Sequence, residues 1–391
     1  MLDWLIIGGG IHGTYLSLFL TQRKAVPADR VRVLDPYPQP LALWHHFTAN
    51  TGMSYLRSSH AHNLHFDPFS LISFTRTRAG LPLADFIEPY GRPSLTLFNT
   101  HSQLLIDRYH LDALRLVGRA IGLHRHADGW RVETDSGSLE ARNVILAFGN
   151  TELPHWPTWT KKARSAGANI HHLFDPAYSR AAPQGETVVV GGGITAAQVA
   201  TMLSLESPGA VTLLMRHPAR LHQFDSDLGW ITHQYLDGFH QETDYARRRE
   251  MIRAARHRGS MPAVGARELD QATQHGLLDL RIDEVAQVSL SGTAQAKRMN
   301  LELSSGETLT ADHVILATGF ETSRPGGTWL DATIDEYGLP RAVDGFPIVD
   351  QRLCWSSGLF VSGSLAELEV GPVARNFVGV KLAAERIGDS L

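Results

Sequence analysis

Two runs of three glycines constrain this chain more than anything else in it. Leu5 to Ile7 is a short apolar run, followed at once by Gly8-Gly9-Gly10-Ile11-His12-Gly13 and then by helical spacing of apolar residues through Tyr15, Leu16, Phe19 and Leu20. Strand, glycine turn and helix in that order suit a dinucleotide pyrophosphate. Gly8 makes the tight turn, Gly10 lets the phosphates approach the backbone, and Gly13 lets helix and strand pack closely. The phosphates then meet free N–H groups at the positive end of the helix. Residues 187 to 190 followed by Gly191-Gly192-Gly193-Ile194-Thr195-Ala196 repeat the plan, with Ala196 as an accepted variant of the third small position.

The strand after each turn separates the two copies. The first, Arg-Val-Arg-Val-Leu-Asp, ends in Asp35, and the second, Ala-Val-Thr-Leu-Leu-Met-Arg, ends in Arg216. An acid at this place accepts hydrogen bonds from a ribose and repels a 2′-phosphate, whereas an arginine pairs with one. The first site is therefore expected to take FAD and the second NADPH in preference to NADH, with His217 and Arg220 as further phosphate contacts or, for Arg220, a solvated charge. Each copy also closes alike. Trp130 to Thr134 and Met299 to Leu303 each enter a turn ending in glycine (Gly137, Gly306), and each hairpin leads to Val-Ile-Leu-Ala-x-Gly. The expected fold is α/β, with two Rossmann-like dinucleotide-binding domains.

Composition removes other classes. With 36 basic and 40 acidic residues the net charge is −4, so no basic excess suggests nucleic acid or an anionic membrane. One cysteine, Cys354, leaves no intrachain disulfide, redox pair or Cys-based zinc site. Neither a signal-like amino-terminal segment nor a span of ~18 apolar residues is evident, so a cytoplasmic location is expected. His60, His62 and His65 before Asp67 lack the i, i+4 spacing of a helical metal site, and no metal is assigned. Arg249, Arg253 and Arg256 fall on one helical face, read as a solvated face or as a region that draws NADPH. His171-His172 is read as solvated or near the nicotinamide.

Residues 41 to 74 do not read as a regular element. Within them stand Trp44-His45, Met53 with Tyr55-Leu56-Arg57, and Asp67-Pro68-Phe69-Ser70 with Phe74. Further on, Ala317 to Phe320 reads Ala-Thr-Gly-Phe, and the carboxyl end carries a strand, a glycine turn at Gly363 and a helix starting near Gly371-Pro372. In these motifs the chain resembles the class B flavoprotein monooxygenases, and among them the L-ornithine and L-lysine N-hydroxylases.

That resemblance implies an NADP domain (183–317) inserted into a discontinuous FAD domain (1–153 and 318–391), with 154–182 as linker. It implies a monooxygenase that uses FAD, NADPH and O2, through a flavin C4a-(hydro)peroxide, to oxygenate a small nucleophile such as an amine. Trp44, His45 and Met53 would line the flavin, with core packing as the other reading of Trp44 and Met53. Gly363, Gly371 and Pro372 would close over the flavin, the helix aiming N–H groups at its pyrimidine end. Arg57 would clamp a substrate carboxylate or an NADP phosphate, or else form a salt bridge within a loop. The sequence departs from the family where Arg57 replaces Lys, where Ser54 replaces Gln, and where the Asn-Glu expected after Asp225-Ser226 is missing. A flavin oxidoreductase or oxidase without oxygenation, and a nucleotide-binding redox sensor, stay open as alternatives.

Overall fold

The structure is a computed structural model that describes residues 1–182, 184–293 and 296–390. The expected boundary at residue 183 and the last residue, 391, lie outside the described residues. Val-Ile-Leu-rich segments buried on both faces form parallel strands, as their continuous apolar character requires. The first sheet runs Cys354–Ser356, Leu359–Val361, Gly137–Leu146, Leu2–Ile7, Val31–Asp35, Arg115–Val117, with the hairpin Ala120–His126/Gly129–Thr134 paired onto Gly137–Leu146. The second runs Leu278–Ile282, Val211–Met215, Thr187–Val190, His313–Leu316, Ile170–His172, all parallel.

Period-two alternation gives the second sheet two faces. Val189, Leu213 and Ile315 pack on the helix Ile194–Glu206 through Ala196, Ala200 and Leu203. Val188, Leu214, Val314 and Leu316 pack on the antiparallel sheet Val285–Thr293, Ala296–Leu303, Thr308–Ala311 through Met299 and Leu301. No helix among the described residues is long and apolar enough to cross a membrane.

Three expectations need correction. The segment at 41–74 contains a regular helix, Ala42–Thr51, that starts after Leu41 in a left-handed conformation (φ 60°) and ends at Gly52. The linker at 154–182 is not a plain connector: it carries the helix Thr160–Ser165 and supplies the edge strand Ile170–His172 to the second sheet. The third concerns residues 228–255, which lie within the expected insert. Trp230, Phe239 and Ile252 from this stretch join the core of the first sheet, alongside Leu365, Leu368 and Val373.

The face bearing Arg249 and Arg256 is consequently turned inward, where Glu367 neutralises it. Glu367 is fully buried and takes Arg249 at 2.6 Å, Arg256 at 2.5 Å and Arg375. Arg253 alone of the three predicted arginines stays exposed.

Candidate nucleotide and flavin site

The first glycine turn is close-packed where the sequence predicted it would be. Gly8 adopts φ +107°, and a Cβ there would stand 2.8 Å from the Phe148 nitrogen. A Cβ on Gly13 would lie 1.7 Å from the Gly8 carbonyl oxygen, whereas one on Gly10 would meet nothing within 4 Å. The turn is thus filled by protein behind and open in front. The helix Ile11–Leu18 begins there with no side-chain cap and no acid in its first turn. This is the arrangement a pyrophosphate fits.

Asp35 ends its strand beside this turn, but not as a free acid. Its Oδ2 accepts from the Gly9 N–H at 2.5 Å, and its Oδ1 accepts from the Tyr37 N–H and pairs with Arg115 at 3.0 Å. A carboxylate oxygen has two acceptor sites, so Oδ2 retains one for a ribose hydroxyl. Arg115 was not singled out from the sequence. It reaches Asp35 because its strand pairs with Val31–Asp35, and it donates to the Gly9 and Tyr37 carbonyls. Burial lowers its pKa against the opposing pull of Asp35.

Trp44 and Met53 converge with Ile11, the residue after Gly10, on a cluster of Leu56, Phe98 and Phe377. The Trp44 ring meets Phe98 edge-on at 5.4 Å, and its Nε1 donates to Asn99 Oδ1 at 2.9 Å. His45, on the same helix, is half-buried, and burial lowers its pKa. An apolar, aromatic wall therefore stands beside the first glycine turn.

The closing segment reaches that turn from the other side. Ser362 Oγ bonds His12 Nδ1 at 2.9 Å, and Gly363 (φ +68°) backs onto the same imidazole. Gly371 (φ +85°) packs against Leu236 and Phe239, and Pro372 opens a 3-10 turn, Pro372–Arg375. The helix proper, Phe377–Gly388, starts later than expected. Asn376 Oδ1 accepts from the N–H groups of Val378 and Gly379, so these are not free to face a flavin.

In the second glycine turn a Cβ on Gly191 would stand 2.5 Å from the Ala317 carbonyl oxygen, and Gly193 begins the helix Ile194–Glu206 with no side-chain cap. Ala196 sits buried at the third position. His217 lies over Gly192 and Gly259. Arg216 is 76% exposed, with Glu284 only at 3.8 Å, and Arg220 makes one long bond of 3.5 Å to the Arg258 carbonyl. Two lightly held guanidiniums beside an uncapped glycine turn suit a 2′-phosphate. Arg258, whose carbonyl accepts from Arg220, is exposed beside Gly259, and no spacing rule in the sequence pointed to it.

The helix Ala42–Thr51 runs from the first turn to the body of the helix Ile194–Glu206 that follows the second. Leu41 N–H donates to the Gly9 carbonyl, and a Cβ on Gly52 would stand 2.2 Å from Met202 Sδ on the second-turn helix. Asn50 bonds the carbonyls of Leu173 and Tyr178 and accepts from Arg180 N–H.

Arg57 is not available to a carboxylate. Its donors go to the carbonyls of His222, Gln223 and Phe224, to Asp225 Oδ1 and to Ser260 Oγ. No group of three or more His, Cys, Asp or Glu side chains among the described residues is placed to hold a metal. His65 Nδ1 instead accepts from the Asp67 N–H. His172 is fully buried, and His171 stacks on Tyr178 at 4.6 Å, so neither is simply solvated.

Burial holds His12, His101 and His172 neutral, with pKa values pushed down to about 4. The unfolded chain takes up their protons below pH 6.5, while the folded chain refuses them until about 4. Stability is therefore full above 6.5 and falls as pH drops towards 4, by up to roughly 1.4 kcal/mol per pH unit for each imidazole. Urea midpoints at pH 7 and pH 5 check this, and equal midpoints would contradict it.

A family model for L-lysine 6-monooxygenase/L-ornithine 5-monooxygenase matches residues 124–322, and an FAD-NAD(P)-binding model matches residues 5–151. The fold is similar to the ornithine hydroxylase PvdA of Pseudomonas aeruginosa, with TM-score 0.75, 17% identity, and 100% of this chain and 98% of that one covered. It is equally similar to the ornithine N-hydroxylase KtzI of Kutzneria sp. 744, with TM-score 0.75, 15% identity and the same coverage of 100% and 98%. In sequence, an uncharacterized oxidoreductase, CzcO, of Bacillus velezensis is 26% identical over 210 residues. That match covers 53% of this chain and 53% of the relative, so the chain spans about half the length of the curated relative it matches.

Proposed function

The chain belongs to the L-lysine 6-monooxygenase/L-ornithine 5-monooxygenase family, and from that premise we propose that it is an FAD- and NADPH-dependent monooxygenase that hydroxylates the nitrogen of a small amine. The observation that carries this reading is the pair of uncapped glycine turns, the first of them flanked by an apolar, aromatic wall. Held at the first turn, FAD would supply the redox chemistry: acceptance of a hydride from NADPH and activation of O2, with one oxygen atom passing to the nucleophile and the other leaving as water.

The chain's own residues bind, orient and exclude water. Backbone N–H groups after Gly10 and Gly193 hold the two pyrophosphates, and Asp35 Oδ2 accepts from the ribose. Arg216, with Arg220 and Arg258, holds the 2′-phosphate. Trp44, Met53, Phe98 and Phe377 keep water from the flavin ring, which limits loss of oxidising equivalents as peroxide. The amine needs no acid–base dyad to react as a free base.

The proposal includes a split FAD domain (1–153 and 318–391) around an NADP-binding insert (183–317) whose stretch 228–255 packs into the core of the first sheet, and a cytoplasmic location with its supply of NADPH. Ornithine is what PvdA and KtzI are named for. Here Arg57 is occupied, so the substrate is placed only in the class of small amines.

NADPH oxidation in air against a panel of diamines, amino acids and sulfides, with mass detection of product and assay of peroxide, tests the reading. An amine that gains one oxygen while peroxide stays low is expected. NADPH consumption matched by peroxide for every compound would replace it with the oxidase reading.

A further inference from the structure

Arg57 stands in the amino-terminal part of the chain, yet every bond it donates crosses to the second nucleotide unit. Nε reaches the Gln223 carbonyl at 2.8 Å, and Nη1 reaches Asp225 Oδ1 at 2.5 Å. Nη2 serves the His222 carbonyl at 2.8 Å, the Phe224 carbonyl at 2.9 Å and Ser260 Oγ at 2.9 Å. Gln223 Nε2 returns a bond to the Arg57 carbonyl. The Arg57 side chain is 15% exposed, and the clamp opens to solvent at Asp225, 71% exposed, and at His222.

The segment it grips is the one that carries the phosphate readers. Arg220–Leu221 pairs in parallel with Ser260–Met261, and His222 N–H extends the pairing to the Met261 carbonyl. His222 and His257 stack at 3.6 Å across this ribbon. Gly259, at its edge, packs against Gly193 at the start of the second-turn helix, and His217 fills the angle between Gly192 and Gly259. The guanidiniums of Arg216 and Arg220 are themselves barely held; Arg220 stands on the ribbon, and Arg216 is tied to it through the neighbouring His217, which packs on Gly259.

We infer that Arg57 is a positioning residue for nicotinamide specificity: it clamps the ribbon at 220–225 and 260 from the opposite domain, and so holds Arg216, His217 and Arg220 where a 2′-phosphate meets them. The inference rests on the proposed reading of the second turn as the NADPH site. The five N–H donors of a guanidinium serve three carbonyls, a hydroxyl and a carboxylate, which the three donors of a lysine ammonium cannot match. Pre-ordering the loop removes its ordering cost from NADPH binding. NADH, held by the glycine turn alone, gains nothing from it. Arg57 thereby sets the margin between the two cofactors without touching either.

The test uses the FAD-loaded holoenzyme and calorimetric titration with 2′,5′-ADP and 5′-AMP, which differ only by the 2′-phosphate. Arg57→Ala is expected to weaken 2′,5′-ADP by about tenfold or more and 5′-AMP by less than about threefold, with Arg57→Lys in between. The KM for NADPH should rise with little change in kcat. Equal weakening of both ligands, or of neither, overturns the inference. Arg216→Ala separates it from the reading beneath: if that change leaves the preference for 2′,5′-ADP intact, the NADPH reading fails and the inference with it. If Arg216→Ala erases the preference and Arg57→Ala does not, the clamp alone fails. Should Arg57→Ala not fold, Asp225→Asn at the exposed end of the clamp carries the test: a shift confined to 2′,5′-ADP supports it, and none overturns it.

Discussion

Glu367→Gln is expected to lower the unfolding free energy by about 3–5 kcal/mol, the range for removing one partner of a buried ion cluster. The carboxylate is fully buried between Arg249, Arg256 and Arg375, and among the described residues only Arg249 has another acid, Asp344. Burial by itself would raise the carboxyl pKa; attraction to Arg256, then to Arg375 and Arg249, overcomes it and holds the group at about 2. The amide keeps the shape of the side chain and leaves three guanidiniums facing one another. Urea denaturation at pH 7 measures the loss, with Glu385→Gln on the exposed face of the closing helix as a control within about 0.5 kcal/mol.

The pH dependence has a definite sign. A folded pKa below the ordinary 4.5 gives stability that is present above 4.5 and lost as pH falls towards about 2. The wild-type and Glu367→Gln curves should therefore converge in strong acid, after the histidine-driven decline between 6.5 and 4. A loss under about 1 kcal/mol at pH 7 would mean that the cluster is screened by water. Arg256 also donates to the Pro372 carbonyl, at 3.0 Å from Nη2, so the variant should retain FAD less well.

Gly13→Ala is expected to yield protein almost free of FAD. The added methyl would stand 1.7 Å from the Gly8 carbonyl oxygen, a backbone atom that no rotamer change can move aside. Helix and strand must separate, at about 1–3 kcal/mol or more for such overpacking, and the separation opens the turn on which the pyrophosphate rests. The flavin-to-protein ratio of purified protein is the measurement. Stoichiometric FAD in the variant would mean that the first turn is not the flavin site. Ala196→Gly in the second turn, where the larger residue already fits, should leave FAD content unchanged.

Both glycine turns, the acid and the arginine after them, and the two hairpins were legible because local sequence dictates them: a tight turn needs glycine, and a buried parallel strand needs an apolar run. The helix Ala42–Thr51 was not. Trp44, His45, His46, Phe47, Thr48 and Thr51 are indifferent helix formers, and packing between Gly9 and Met202 decides the outcome. Arg115 beside Asp35 follows from strand pairing, and the partners of Arg57 lie more than 160 residues away in sequence. The inward turn of Arg249 and Arg256 likewise depends on Glu367, more than 100 residues further on. Distance along the chain, more than chemistry, set the limit.

Trp230, Phe239 and Ile252 lie inside the proposed insert (183–317) yet belong to the core built on the first sheet. The insert is therefore not a cassette. A chimera that exchanged residues 183–317 for the matching stretch of a relative would carry away part of the recipient's own interior, along with two of the three cations that neutralise Glu367. Exchanges that respect the physical joint have to leave 228–256 with the host and cut on either side of it, so recombination of cofactor preference in this protein needs four crossovers where the linear map suggests two.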